Sequence, residues 1–149
     1  MKQFITLLFI GISTTIFSQQ IDYNTKKGAI ANGYDVVEYF NNKATKGNKK
    51  ISTTFDGVKF LFSTKENLAK FKKAPEKYVP QYGGYCAYAI GKSSEKVAIN
   101  PKTFEIRDGK LYLFYNAWGT NTFKMWKEEG AEDLKNKADK NWKKIKSKS

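Results

Sequence analysis

The chain has 149 residues, of which 27 are lysine or arginine and 14 are acidic, giving a net charge of +13, with one cysteine and no histidine. This composition excludes an internal disulfide and any catalytic or metal site that depends on histidine. Nucleic acid is not an expected partner, because Arg107 is the only arginine and base recognition favours arginine forks. The lysines predict a solvated basic coat that can contact anionic surfaces of a cell envelope.

Residues 1–18 have the pattern of a secretory signal peptide. Lys2 precedes an apolar run from Phe4 to Ile12, and small residues follow as far as Ser18, which is the order of charge, apolar core and cleavage site in such peptides. The run is shorter than the roughly 20 residues that a membrane-spanning helix needs. We therefore expect cleavage after Ser18, no transmembrane segment afterwards, and a periplasmic or secreted protein.

The remaining chain, about 130 residues, suits one domain with one hydrophobic core. Residues 19–27 are polar and lack periodicity, so we interpret them as a flexible leader before a domain spanning residues 28–146. Within the domain, Asn32-Gly33 indicates a turn. The first apolar cluster follows it and consists of Val36, Val37, Tyr39 and Phe40.

Asp-Gly pairs between alternating stretches predict two β-hairpins. Asp56-Gly57 joins strands at residues 51–55 and 58–62, and Asp108-Gly109 lies at the centre of a second hairpin over residues 103–116. The central residues of a type I′ turn both need positive φ, and Asp-Gly is a preferred pair for that geometry.

Helices are predicted after each hairpin and near the C-terminus. Ser63 with Glu66 forms a capping box for the first helix, and Pro75 ends that helix or starts a short second one. Asn116 is expected to cap a later helix that Gly130 closes. That later helix would carry Trp118, Phe123 and Trp126. The last helix has an apolar stripe formed by Leu134, Ala138, Trp142 and Ile145.

Together these elements predict an α+β fold, a small single domain with two short antiparallel β-hairpins and three to four helices. Each hairpin is followed by a helix, so a ββα order of elements occurs twice along the chain. The sequence similarity between the two parts is too weak to be called a repeat.

Four segments follow one another in a recognisable order: GYDVVEYF, then FDGVKFLFSTKENLAKFKKAPEKYVPQYGGYCAYAIG, DGKLYLFYN and KADKNWKKI. In these segments the sequence resembles the exported bacterial YHS-domain proteins, and the resemblance covers roughly Gly28 to Ile145. It implies a YHS-like fold. Most of these small members have no assigned activity, and the family's link to metals comes from YHS modules joined to metal-transport and metal-handling proteins.

The metal link of the family does not carry over to these residues. In metal-associated relatives the first hairpin leads into a Cys-x-x-x-Cys pair, and the two corresponding positions here are Ser63 and Asn67. Phe40 stands where some members have a histidine. A soft metal ion would find only Cys86 and Met125 as weak candidate ligands, so a metal cofactor is poorly supported and the cofactor stays unknown.

The segment PQYGGYCAYAIG, residues 80–91, is the main candidate site. Tyrosine buries a ring while its hydroxyl bonds, and glycine allows close backbone approach. The segment therefore either lines a pocket for a small ligand or forms the outer layer of an aromatic core. Its candidate ligand-binding residues are Tyr82, Gly83, Gly84, Tyr85, Cys86 and Tyr88. Tyr34 and Asp35, which follow the Asn32-Gly33 turn, are further candidates.

Cys86 has two alternative interpretations. In the first turn of a helix beginning near Tyr85, backbone amides would lower the pKa of its thiol and make it reactive. An unpaired cysteine between alanine and tyrosine is more often a small buried hydrophobe. The packing role is the preferred interpretation.

The favoured prediction is a non-catalytic binding or accessory module for an unknown small ligand or envelope partner. A copper-related metal-binding protein is one alternative, and a thiol-dependent enzyme using Cys86 is another. An enzyme is thus the less favoured interpretation.

Overall fold

The computed structural model describes residues 19–147, and the predicted signal peptide lies outside the described residues. The strands in this range are β1 (Thr25–Lys26), β2 (Ala29–Ile30), β3 (Asn48–Phe55), β4 (Val58–Phe62), β5 (Asn100–Arg107), β6 (Lys110–Phe114), β7 (Asn116–Ala117) and β8 (Thr120–Asn121). The α-helices are α1 (Lys65–Lys73), α2 (Pro75–Tyr78), α3 (Ala87–Ser93), α4 (Thr122–Glu128) and α5 (Ala131–Ile145). Short 3₁₀ turns cover Ala31–Gly33, Glu38–Asn41 and Gln81–Gly84.

This arrangement confirms the predicted α+β fold. The larger sheet has the strand order β1-β2-β4-β3, in which β2 and β4 run parallel and the other neighbours run antiparallel. The hairpins β5-β6 and β7-β8 form two further sheets. Helix α5 packs on α3, and its predicted stripe is confirmed, because Leu134 and Ala138 are buried and Trp142 and Ile145 pack against the core.

Four two-residue turns close the hairpins, and each ends in glycine. The predicted turns are confirmed, with positive φ at Asp56-Gly57 and Asp108-Gly109. Lys27-Gly28 and Trp118-Gly119 adopt the same left-handed geometry in the short hairpins β1-β2 and β7-β8. Lysine and tryptophan are unusual in the first position of such turns, so the sequence did not predict these two hairpins.

The two long hairpins share one register plan. Asn48 pairs with Phe62 and Asn100 pairs with Phe114, so each residue of the second pair follows its counterpart by 52 positions. Both hairpins have a register irregularity directly after this pair. In both, the asparagine side chain accepts a hydrogen bond from the backbone N–H two residues later, at 2.9 Å. The two ββα segments, whose sequences are only weakly similar, therefore correspond closely in the register of their hairpins.

A left-handed turn precedes each long hairpin. Ala31–Gly33 and Tyr82–Gly84 each contain three consecutive residues with positive φ. Each turn is followed by an extended tyrosine, Tyr34 or Tyr85. We call residues 31–73 the first half and residues 82–128 the second half, and both contribute buried residues to one core together with Leu134 and Ala138 of α5.

Residues 19–27 are not an unstructured leader. Thr25–Lys26 pairs with β2, and the backbone N–H of Asp22 donates to the carbonyl of Lys146 at 2.7 Å. The Tyr23 hydroxyl donates to Asp56 at 2.7 Å. These contacts attach the segment to the first hairpin and to the end of α5. They could not be read from a polar stretch without periodicity.

Two predicted helix caps are wrong. Thr64, not Ser63, caps α1, because its hydroxyl accepts a hydrogen bond from the Asn67 N–H. Asn121, not Asn116, caps α4. Residues 116–121 form the β7-β8 hairpin instead, which places Trp118 at an exposed turn rather than in a helix.

Candidate functional site

The structure divides the predicted site residues among separate places. Tyr82 and Gly83 line a cleft, and Tyr34 lines a different groove. Asp35 and Cys86 are fully buried. The segment 80–91 therefore does not form the floor of one pocket.

The cleft containing Tyr82 and Gly83, which we call the aromatic cleft, has a volume of about 780 Å³. It lies between the N-terminal segment, the β3-β4 turn, the turn at Gln81–Gly84 and helix α5. Aromatic rings and carboxylates from these elements face it, among them Tyr23, Phe55, Asp56, Tyr82, Asp139 and Trp142. Its volume lies within the range of small-molecule sites.

Gly83 allows the wall of the aromatic cleft to close. Its φ is +60°, and a Cβ at this position would lie 2.9 Å from both the Asp22 carbonyl oxygen and the Trp142 ring. The backbone N–H of Asn24 donates to the Gly83 carbonyl at 2.9 Å. Glycine is thus required here for both the left-handed conformation and the close approach of two other segments.

Two tyrosine–carboxylate pairs border the aromatic cleft. Tyr23 donates to Asp56 at 2.7 Å, and Tyr82 donates to Asp139 at 2.8 Å. Burial, followed by the hydrogen bond to the neighbouring carboxylate, raises the pKa of both phenols. Both hydroxyls therefore stay protonated at neutral pH and hold the carboxylates by charge-assisted hydrogen bonds.

The rest of the tyrosine–glycine segment stabilises neighbouring elements. A Cβ on Gly84 would lie 3.3 Å from the Ile30 side chain. Burial, together with the charge and hydrogen bond of Asp22, raises the pKa of Tyr85 to about 12. Tyr88 donates to Glu129 at 2.9 Å, and burial raises the pKa of its phenol.

Cys86 is enclosed by the core. Its side chain has no solvent exposure, and its Sγ lies 3.3 Å from the Thr122 hydroxyl and accepts from the Tyr115 N–H at 3.4 Å. Helix α3 begins at Ala87, so Cys86 is its N-cap residue, but its side chain caps no backbone amide. This geometry favours packing over nucleophilic chemistry, which needs solvent access and a base.

Asp35 is the centre of a buried polar network. Its Oδ1 accepts from the Val37 N–H at 2.9 Å. Its Oδ2 accepts from the N–H and hydroxyl of Ser63, at 2.8 and 2.7 Å, and from the Asn67 amide at 2.8 Å. The same amide donates to Glu38 at 2.7 Å. A buried carboxylate with four donors fixes the turn, the first hairpin and α1 relative to one another.

The contacts of Ser63 and Asn67 with Asp35 were not predicted from the sequence, where these positions were matched only to a cysteine pair of metal-associated relatives. Ser63 lies directly after β4, and Asn67 lies four residues later in the first turn of α1. The short connection between strand and helix brings both side chains to Asp35. A polar residue at each position was the only signal in the sequence.

The donor atoms present do not fit the metal site that the resemblance implies. Asp35 Oδ2 is already occupied by three donors, and Asn67 presents its NH₂ group to the two carboxylates. Cys86 is occupied by Thr122 and the Tyr115 N–H. Within residues 19–147, no group of three or more His, Cys, Asp or Glu residues could hold a metal ion.

In a comparison with protein families, the YHS domain model matches residues 36–82. The matched region contains the first long hairpin, α1, α2 and part of the left-handed turn before Gly84. Searches of curated proteins and of solved structures found no match for the chain. The chain therefore contains a region similar to a YHS domain, and the match stops before the second long hairpin.

Within residues 19–147, no helix combines the length and the apolar character needed to cross a bilayer.

Proposed function

We propose that this protein is an exported, non-catalytic binding module whose aromatic cleft takes a small organic ligand. The observation that carries the proposal is the cleft itself, in which Tyr82, Gly83 and Trp142 meet the N-terminal segment. The proposed periplasmic or secreted location rests on the signal-peptide pattern of residues 1–18.

The composition of the aromatic cleft favours a ligand with a ring. The faces and edges of Tyr23, Phe55, Tyr82 and Trp142 supply apolar contact area. Two lysines, Lys110 and Lys143, and three acids, Asp56, Glu76 and Asp139, also line it. Charges of both signs favour a neutral or zwitterionic molecule that hydrogen-bonds at its edge.

The wall of the aromatic cleft is built to be rigid. Tyr82 packs on Trp142 with ring centroids 6.4 Å apart and on Tyr112 at 5.8 Å. Its hydroxyl is held by Asp139. A wall whose rotamers are fixed by packing and hydrogen bonds loses little entropy on binding.

Catalysis is disfavoured by the state of the candidate groups. The Cys86 thiol is buried away from the cleft, and the Tyr23 and Tyr82 phenols are held protonated by burial and by their carboxylate partners. A nucleophile or base near neutral pH needs the opposite perturbation.

The proposal is tested by NMR titration of the purified protein with indole, phenol, tryptophan and methyl glucoside as ring-bearing probes. We expect saturable shifts at the Gly83 amide and the Trp142 indole with at least one probe. In the variants the Gly83 amide is the readout: Trp142→Ala should abolish its shift and Trp142→Phe should keep it in part. Trp118→Ala is the matched control and should keep both shifts, because Trp118 is 96% exposed and outside the cleft. The absence of saturable shifts with every probe would refute this ligand class.

The two alternative functions are tested with the same preparation. Elemental analysis measures bound metal, and a thiol reagent is titrated against Cys86 in the folded and unfolded protein. We expect no stoichiometric metal and a thiol that reacts only on unfolding. Metal that is lost in Cys86→Ser would replace the proposal with metal binding, and a fast thiol in the folded protein would support the enzyme.

A further inference from the structure

A second concave site lies on the outer face of the larger sheet and is lined by five lysines. It has a volume of about 680 Å³, and no acidic residue lines it. The lysines are Lys26, Lys27, Lys46, Lys49 and Lys59. We call this site the lysine groove, and it shares no lining residue with the aromatic cleft.

Strand register explains why lysines converge there. Lys26 is the partner of Ala29 on β2, and Ala29 is the partner of Lys59 on β4. Directly paired residues project from the same face of a sheet, so the three form one row with the small alanine in the middle. Leu61, two residues after Lys59, lies on the same face and forms an apolar part of the floor.

A loop closes one side of the lysine groove. Gly47 lies directly against Leu61, since a Cβ on it would be 2.6 Å from the Leu61 Cβ. The Gly47 N–H donates to the Gly33 carbonyl at 2.9 Å, and Tyr34 forms a bridge with Lys46. Residues 46–47 are therefore fixed against the sheet by backbone contacts, and Lys49 follows directly in β3.

The five ammonium groups are not neutralised within the described residues. None of these lysines forms a salt bridge or a side-chain hydrogen bond through its ammonium group in residues 19–147, although lysines elsewhere pair with Glu129, Asp22 and Asp139. Five like charges around one concavity repel one another and attract an anion.

The charge density of the lysine groove identifies the anion. A compact ligand can match five cations only if each of its groups carries more than one charge or the groups are closely spaced. Phosphate groups meet this condition, at about −1.5 to −2 each for a monoester at pH 7, and lysine binds them as a point charge without the bidentate geometry of arginine. The site is concave, so a small molecule can enter it, whereas a flat bilayer surface cannot reach its floor.

We propose that the lysine groove binds a soluble oligophosphate, meaning a small molecule with two or more adjacent phosphate groups. Phosphates enter between Lys26, Lys49 and Lys59, and the apolar floor at Ala29 and Leu61 contacts the rest of the ligand. This binding is independent of the ligand in the aromatic cleft.

The test is isothermal titration calorimetry of the purified protein with sodium tripolyphosphate. We expect saturable one-to-one binding that weakens with added salt. The double variant Lys49→Gln/Lys59→Gln should bind about tenfold more weakly. The double variant Lys137→Gln/Lys140→Gln removes the same charge from α5 outside the groove and should stay within about twofold of the parent protein. Thermal unfolding by circular dichroism checks that all variants are folded.

Citrate and vesicles containing phosphatidylglycerol separate the sources of negative charge. Citrate, with carboxylates alone, should bind more weakly than tripolyphosphate, and the vesicles should not compete with it. The proposal is overturned by absent saturation, by equal weakening in both double variants, or by equal affinity for citrate. Binding to vesicles without binding to tripolyphosphate would assign the lysines to lipid headgroups instead.

Discussion

The two halves of the protein have the same backbone plan and different chemistry at its centre. In the first half, Asp35 follows the left-handed turn, and the N–H of Ser63, directly after β4, donates to it. In the second half, Cys86 follows the equivalent turn, and the N–H of Tyr115, directly after β6, donates to its sulfur. The corresponding bonds are 2.8 and 3.4 Å long.

This difference shows what each central residue contributes. A carboxylate with four donors needs every one of them, because a buried charge without partners is costly. A thiol is a weak acceptor and makes its main contribution by filling space. The hydrogen-bonded carboxylate at the centre of the first half and the thiol at the centre of the second half are thus two solutions to the same packing problem.

The outer surfaces of the halves differ as well. Ala29 before the first turn pairs with Lys59 and extends the sheet, which creates the floor of the lysine groove. Pro80 precedes the second turn at the corresponding place, and proline has no N–H to donate to a strand. Pro80 therefore joins no strand, and the parallel bridge of the second half lies after the turn, between Cys86 and Leu113. The turn itself borders the aromatic cleft.

The largest difference between the halves is expected when the central residue of each is replaced by alanine and the free energies of unfolding are compared. Asp35→Ala leaves the Ser63 and Asn67 donors buried without an acceptor, and we expect a loss of about 3–5 kcal/mol in the free energy of unfolding. Cys86→Ala removes only a sulfur from the core and should cost about 1–2 kcal/mol. Urea unfolding measures both.

Asp35→Asn is the milder variant for the case that Asp35→Ala does not fold. It keeps the volume and replaces one acceptor by a donor that faces other donors, so its cost should lie between the two alanine variants. Equal losses for Asp35→Ala and Cys86→Ala would contradict the difference between the halves.

The second comparison uses the middle residue of each left-handed turn. Gly83→Ala brings a Cβ to within 2.9 Å of Asp22 and Trp142 at positive φ, so we expect a cost of about 2–4 kcal/mol. Asn32 is the counterpart in the first half, also with positive φ. Asn32→Ala should cost about 1–2 kcal/mol, because alanine tolerates the left-handed conformation less well and the long hydrogen bond from the Asn32 amide to the Ile99 carbonyl, 3.4 Å, is lost.

Chemical denaturation of both variants measures these losses, and the NMR signal of the Trp142 indole reports the cleft. Gly83→Ala should shift that signal, and Asn32→Ala should leave it unchanged. A small cost for Gly83→Ala would mean that the N-terminal segment is not held against the turn.

Much of the fold could be predicted because its signals are local. Asp56-Gly57 and Asp108-Gly109 fix the long hairpins through turn chemistry, and the spacing of Leu134 and Ala138 fixes the buried face of α5. From the sequence, the correspondence between the halves appeared only as a repeated order of hairpin and helix. It lies in backbone conformation and strand register. Chemically different residues, such as Ala31 and Tyr82, can adopt the same conformation, so the sequence alone does not reveal it.

The candidate site could be predicted only in part, because it depends on contacts between distant segments. The role of Gly83 requires Asp22 and Trp142 to meet it, from opposite ends of the chain. The Asp35 network joins residues about 30 positions apart. Nothing in the local pattern of PQYGGYCAYAIG separates cleft-lining Tyr82 from Tyr88, whose hydroxyl bonds Glu129.

Alkaline pH should affect the second half through its tyrosines. Burial raises the pKa of Tyr82 and Tyr112, in the latter to about 12. The unfolded chain releases these protons near pH 10 while the folded protein keeps them, so their contribution to stability is complete below pH 10 and falls as pH rises above it. Each such tyrosine contributes at most about 1.4 kcal/mol per pH unit, less where solvent screens it.

Urea unfolding of the parent protein and Tyr82→Phe between pH 7 and 11 checks this dependence. At pH 7 the variant should be less stable, because Asp139 loses a hydrogen bond. Above pH 10 the difference in stability between the parent protein and the variant should shrink. The parent loses stability there through Tyr82, whereas phenylalanine has no titratable proton. Parallel curves over the whole range would show that Tyr82 titrates alike in both states.

The smallest effect concerns the β7-β8 hairpin, which the first half lacks. Trp118 has a φ of 53° and is 96% exposed, so it bears the cost of a left-handed conformation with little burial in return. Trp118→Asn should raise the free energy of unfolding by about 0.5 kcal/mol, since asparagine tolerates this region, and Trp118→Val should lower it by about 1 kcal/mol. Thermal and urea unfolding measure both. A lower free energy of unfolding for Trp118→Asn would contradict this expectation and would mean that the Trp118 indole makes a stabilising contact in solution.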